Sequence, residues 1–196
     1  MWPWEHAAVG YVCYSAATRL LAGDPPEGDP VLFLAVGTQF PDLVDKPLSW
    51  GLGVFPTGYA AGHSVLVLLA LTVLALAALR DDGRQRNAVP FLVGAWTHVA
   101  GDVVSPLRAG EPLGVDRVLW PVVEREPYPD DLGVERGLVY LREYLADLGT
   151  ADVSTGLVLG IALGMASVVL WLVDGAPGVR TVATRVEAVA RQLRRR

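Results

Sequence analysis

Cysteine is almost absent from this 196-residue chain: Cys13 stands alone, so neither an internal disulfide nor a cysteine-ligated zinc site can form. Lysine is equally scarce, with Lys46 set against fifteen arginines, and charged residues make up only 19% of the sequence. A formal charge of −5 supplies no field for nucleic acid, which excludes a basic nucleic-acid-binding module. There is no glycine-rich phosphate loop and no Cys-x-x-Cys pair. The amino-terminal MWPWEH lacks the basic stretch of a cleavable signal peptide. What the chain does have is apolar surface. The apolar set supplies 52% of residues and mean hydropathy is +0.38, which excludes a disordered tail. The clustering of this excess points to a membrane protein.

Four apolar blocks approach the length needed to cross a ~30 Å hydrocarbon layer. They run over about 6–21, 63–79, 88–104 and 156–173. A shorter run, 31–40, is bounded by Pro30 and Pro41, which read as a helix start and a helix stop. The expected fold is all-α: a polytopic membrane bundle of four to five helices occupying 1–175, followed by a basic tail over 176–196. Within it, 106–155 is polar and proline-marked and reads as an outer loop. Leu138, Leu141, Leu145 and Leu148 give that loop one amphipathic helix, expected to pack on the outer face. In the tail, Val179, Val182, Val186, Val189 and Leu193 recur at steps of three and four between arginines, the pattern of a helix lying on an anionic leaflet. Gly156, Gly160 and Gly164 form a small-residue ladder suited either to packing within the chain or to a homodimer.

Ten of the sixteen basic residues fall on one predicted side: Arg19, then Arg80, Arg84 and Arg86, then six after Val173. The positive-inside rule makes that side, and the carboxyl terminus, cytoplasmic in a multi-pass cell-membrane protein. Trp2, Trp4, Trp50 and Trp120 then lie near the outer interface as anchors.

The three histidines, His6, His63 and His98, fall toward that same outer face, as do Asp42, Asp45 and Asp102. The charge argument used none of them, so their convergence is separate evidence. His98 and Asp102 are four apart and project from one side of a helix. Ionisable groups in membrane segments are costly and mark functional sites. Imidazole with carboxylate is the ligand set of zinc and related divalent ions. Against this stand satisfied packing histidines and an ordinary Asp45–Lys46 surface pair. Gly62-His63-Ser64-Val65-Leu66 opens like a nucleophile elbow, but its fifth residue is leucine and it enters an apolar helix with no strand before it.

At these residues the chain resembles the membrane-bound metal-dependent hydrolases of the YdjM type. The likeness rests on His6, GTQFPDLVD, AGHSVL, GAWTHVAGDVVSP and Trp120-Pro121, and covers residues 1–121. The order Asp, His, His-x-x-x-Asp also resembles one metal site of zinc-dependent phospholipase C and P1-type nucleases. That likeness implies Asp42, His63, His98 and Asp102 as ligands, with His6 matching an early metal-binding histidine. Those enzymes complete a three-metal cluster with a later His-x-x-x-Glu, and no histidine follows His98 here, so one or two metals are implied. The spacing PDLVD also departs from the tighter PDxD more frequent in the membrane family. The implied activity is zinc-dependent hydrolysis of a lipid or lipid-linked phosphoester at the outer interface. Asp45 would serve as general base or ligand-orienting carboxylate, with Arg108 or Arg117 on a substrate phosphate. The alternative is a non-catalytic membrane protein with a structural metal or an ion-binding site.

Overall fold

A computed structural model describes residues 1–78, 82–149 and 154–194, the side chains of 82–84 excepted. Leu79, Arg80, the Arg84 side chain, Arg195 and Arg196, which entered the span and charge expectations, lie outside the described residues. Among the described residues every regular element is helical. The order is α1 (Pro3–Ala22), α2 (Gly28–Gly37), α3 (Phe40–Lys46), α4 (Val65–Ala78), α5 (Asp82–Val104), α6 (Arg136–Leu148), α7 (Thr155–Val173) and α8 (Val179–Leu193). A π turn, Pro47–Gly51, follows α3, and short 3₁₀ turns cover Ser105–Ala109, Val115–Val118 and Gly133–Glu135.

Helix α5 is the hub, packed by α1, α2 and α4, while α7 lies on α1. The α2–α5 crossing depends on glycine. A Cβ at Gly37 would sit 2.1 Å from the Phe91 carbonyl oxygen, and one at Gly94 would sit 2.5 Å from that of Leu34. Both backbones therefore approach to a distance no side chain permits. Gly10 of α1 meets the same crossing, where a Cβ would stand 2.4 Å from Thr38 Cγ2. This triple approach brings the end of α2 against the middle of α5. Elsewhere, Asp174 at the end of α7 accepts hydrogen bonds from the Tyr11 and Ser15 hydroxyls, each at 2.7 Å, and pairs with Arg19, tying α1 to α7.

Among the described residues one helix, α7, is both long and apolar enough to cross a membrane, with 19 residues and a mean hydropathy of 2.4. Its Val158, Leu159, Ile161, Met165, Val168, Val169 and Leu172 point outward and uncovered. The other blocks differ for compositional reasons. The described part of α4 has 14 residues, α1 carries Glu5, His6 and Arg19, and α5 carries Arg86, Asn87 and Asp102. Pro41 was expected to stop a helix, but it occupies the first turn of α3. The N–H it lacks would be unpaired there anyway, so proline starts this helix without cost. Helix α6 forms as expected, yet Leu138, Leu141, Leu145 and Leu148 remain exposed. It docks instead by aromatics: Tyr144 against Trp2 and Trp4, with ring centroids at 4.8 and 5.4 Å, and Tyr140 against Trp50 at 6.2 Å. These ring-on-ring contacts tie α6 to the start of α1 and to the π turn. Of the glycine ladder, Gly160 packs against α1, where a Cβ would meet Glu5 Oε1 at 2.3 Å, while Gly164 has open space.

Candidate metal centre

The fold gathers all six predicted residues at the α1–α3–α5 junction. His6 comes from α1, Asp42 and Asp45 from α3, His63 from the loop before α4, and His98 and Asp102 from α5. His6, Asp45, His63, His98 and Asp102 are almost wholly buried, and Asp42 is the most open, with its side chain 11% exposed.

Four atoms face one another: Asp42 Oδ1, His63 Nε2, His98 Nε2 and Asp102 Oδ2. The two histidine nitrogens are 3.1 Å apart. His63 Nε2 lies 3.4 Å from each carboxylate oxygen, and His98 Nε2 lies 3.8 Å from Asp42 and 3.4 Å from Asp102. A tetrahedral zinc with ligand bonds of about 2.0–2.1 Å has ligand–ligand edges of about 3.3–3.4 Å, and these five separations lie close to that size.

The far side of each imidazole fixes its tautomer. His63 Nδ1 donates to Asp45 Oδ2 at 2.8 Å, and His98 Nδ1 donates to the Thr38 carbonyl at 2.7 Å. With the proton on Nδ1, each Nε2 presents a lone pair to the centre, which is the outer-shell arrangement of metal-ligating histidine. The Gly37–Gly94 approach supplies the Thr38 carbonyl. Asp45 is held more firmly still: Ala60 N and His63 N donate to Oδ2 at 2.7 and 3.0 Å, and Gly62 N donates to Oδ1 at 2.7 Å. Gly62 is required here, since a Cβ would lie 2.7 Å from the Pro41 carbonyl oxygen.

His6 differs. Its ring stacks on His98 with centroids 3.6 Å apart, and its Nε2 lies 3.3 Å from Asp102 Oδ1, but its buried Nδ1 has no partner. His6, His98 and Asp102 form a second grouping able to hold an ion, beside Asp42, His63 and His98.

Without an ion, two carboxylates against two lone pairs must bind protons. Burial pushes the His63 ring down, but hydrogen bonds to Asp102, Asp42 and Asp45 outweigh it and raise the ring to about 10. Burial alone would raise Asp42; hydrogen bonding from His63 and the charge of Lys46, whose Nζ is 2.5 Å away, hold it well below the usual carboxylate range.

A family model described as YdjM inner membrane protein matches residues 1–177. The chain belongs to this family. No curated protein and no solved structure matches it. The YdjM match spans every residue of the junction and ends before α8.

Other candidates in this YdjM chain fall differently. Ser64 caps α4, accepting from Val67 N at 3.3 Å and donating to the Trp120 carbonyl at 2.5 Å, so its oxygen is engaged away from His98. Arg108 is paired with Glu5 at 2.5 Å. Arg117 donates to the Asp102 carbonyl at 3.3 Å and lies over the Tyr59 ring at 5.3 Å. Three contributors escaped sequence reasoning. Tyr59 stands edge-on to His63 at 4.9 Å. The Met1 amine is 3.0 Å from Asp102 Oδ1. The Thr38 carbonyl is the third, and a backbone acceptor leaves no residue-type signal.

Proposed function

We propose that the chain is a membrane-bound, metal-dependent hydrolase of phosphoesters, with zinc held by Asp42, His63, His98 and Asp102. The five interatomic edges of 3.1–3.8 Å among those four ligand atoms carry the reading. The bound ion supplies Lewis acidity toward a phosphoryl oxygen and lowers the pKa of water from 15.7 toward about 7. Asp45 is a positioning residue: its two oxygens accept four N–H groups, the His63 ring among them, and it stands behind that ring. His6 holds Asp102, because a ligating histidine ordinarily donates through its other nitrogen and His6 Nδ1 has no acceptor. Asp42 is the open side of the centre, with Tyr59 and Arg117 nearby as the wall a substrate phosphate would meet.

A second reading has its own support. Four protein ligands complete a tetrahedron, and closed four-ligand sites are structural. Metal analysis of the protein beside a His98→Ala/Asp102→Ala variant tests the centre itself, and equal metal content would sink it. Phosphodiesterase turnover lost on chelation and restored by Zn²⁺ separates hydrolase from scaffold.

We also propose that α1, α4 and α5 embed beside α7, whose ~28 Å length at ~1.5 Å per residue suits a bilayer. The positive-inside rule puts the side bearing Arg86 and α8 in the cytoplasm and the centre toward the outer face. Helix α8 then lies on the anionic inner leaflet through Val182, Val186, Val189 and Leu193, with its arginines at the headgroups. A reporter fused after Arg196 should be active only on the cytoplasmic side.

A further inference from the structure

Apart from the metal centre, a cavity of about 240 Å³ opens between the π turn after α3 and the start of α6. Its one cation, Arg136, is only 6% exposed. The guanidinium lies 3.7 Å over the Tyr128 ring and donates to the Asp130 carbonyl, yet among the described residues no carboxylate lies within ion-pair distance of it. A buried arginine without a counter-anion is an unstable arrangement in a closed interior. Opening onto a cavity makes it an anion site, because guanidinium matches phosphate in a two-point geometry.

The rest of the cavity selects the ligand further. Trp50 and Phe55 form its aromatic wall, and the buried indole N–H of Trp50 has no acceptor. Asp130 and Asp131 also line it, but both are exposed. The charge order is thus a cation inside and carboxylates outside, beside aromatic faces that attract an ammonium. A simple anion would be repelled by those two aspartates. Leu52, Val54 and Val134, next to lining residues Gly53 and Gly133, are each more than half exposed and apolar. In an inner-membrane protein such a rim places the opening at headgroup depth.

We infer that this cavity binds an aminophosphate, its phosphate on Arg136 and its ammonium at Asp130 and Asp131, as the headgroup of a phosphatidylethanolamine-type lipid presents them. The inference does not depend on a metal at the α1–α3–α5 junction. It is tested by calorimetry on the full-length protein in non-ionic detergent, before and after chelation. The probes are dihexanoyl phosphatidylethanolamine, dihexanoyl phosphatidylglycerol, O-phosphoethanolamine and glycerol 3-phosphate. Both amino compounds should bind, chelated or not, with affinity about tenfold above their counterparts lacking the ammonium. A lipid source is shown by tighter binding of the short-chain lipid than of O-phosphoethanolamine, and equal binding shows a soluble aminophosphate. Arg136→Gln should abolish binding. Asp130→Asn/Asp131→Asn, confined to exposed side chains and so compatible with folding, should erase the preference for the ammonium. Failure of both amino compounds to bind, a preference for phosphatidylglycerol, or a preference unchanged in the rim variant overturns the inference.

Discussion

Replacing Asp45 by asparagine changes one charge and almost no volume, and so isolates what this buried carboxylate does. Four N–H groups converge on it at 2.7–3.0 Å: the backbones of Ala60, Gly62 and His63, and the His63 ring. Asparagine has one acceptor oxygen. Its better orientation puts that oxygen where Oδ2 was, keeping three donors, and turns its NH₂ against the Gly62 N–H. One donor is then buried without a partner, at about 1–3 kcal/mol, and three charge-assisted bonds become ordinary ones, at about 0.5–1 kcal/mol each. The sum is about 2.5–6 kcal/mol against the ~5–15 kcal/mol of a folded domain, so the Tm should fall sharply. His63 loses its anionic partner, and Zn²⁺ affinity should fall about 10–100-fold, as for other outer-shell carboxylates. Chelator competition gives the affinity and a thermal melt of the metal-free protein gives the stability. A variant that binds Zn²⁺ within threefold of the parent would refute the positioning role, whatever its Tm.

Metal binding should release about one proton near pH 8, because His63, raised to about 10, is cationic in the metal-free protein. Titrations in buffers of different ionisation enthalpy count that proton, and apparent affinity should climb about tenfold per pH unit below pH 10. The same shift has a stability consequence: the metal-free protein gains from cationic His63 fully below pH 6.5 and loses that gain as pH rises through about 10. Gly94→Ala should cost more than 3 kcal/mol or prevent folding, since its methyl would lie 2.5 Å from the Leu34 carbonyl oxygen. Surviving protein should show weakened metal binding through the displaced Thr38 carbonyl. Asp174→Ala strands the Tyr11 and Ser15 hydroxyls and should lower stability by about 2–4 kcal/mol without moving metal affinity. A matching loss of affinity would show that the α1–α7 tie reaches the centre.

Periodicity in an apolar block announces a helix, and α1, α4, α5 and α7 were legible for that reason; α6 and α8 showed through leucine and valine spacing. What periodicity does not carry is which face finds a partner. The leucines of α6 predicted a packed face, whereas two tyrosines on three tryptophans seat the helix, a pairing set by tertiary position. Pro41 was ambiguous because proline both ends one helix and opens the next. Four blocks read as near-spans, whereas among the described residues α7 alone is long and apolar enough to cross a membrane; in α1 and α5 the polar residues that build the junction lower the hydropathy.

The convergence of His6, Asp42, Asp45, His63, His98 and Asp102 was legible for a physical reason. A mostly apolar bundle has few places to put an ionisable group, so side chains that carry charge must either meet water or meet one another. Five of these six are almost wholly buried, so they meet one another. Their division of labour could not be read from residue types, because Asp45 and Asp42 are chemically identical and three residues apart on α3. It is set by donors. Backbone N–H groups from the 60–63 turn hold Asp45 as a fixed anchor, while Asp42, met by Lys46 on its outer oxygen, keeps Oδ1 turned to the two imidazoles. The turn that sorts the two aspartates exists because Gly62 can lie against the Pro41 carbonyl.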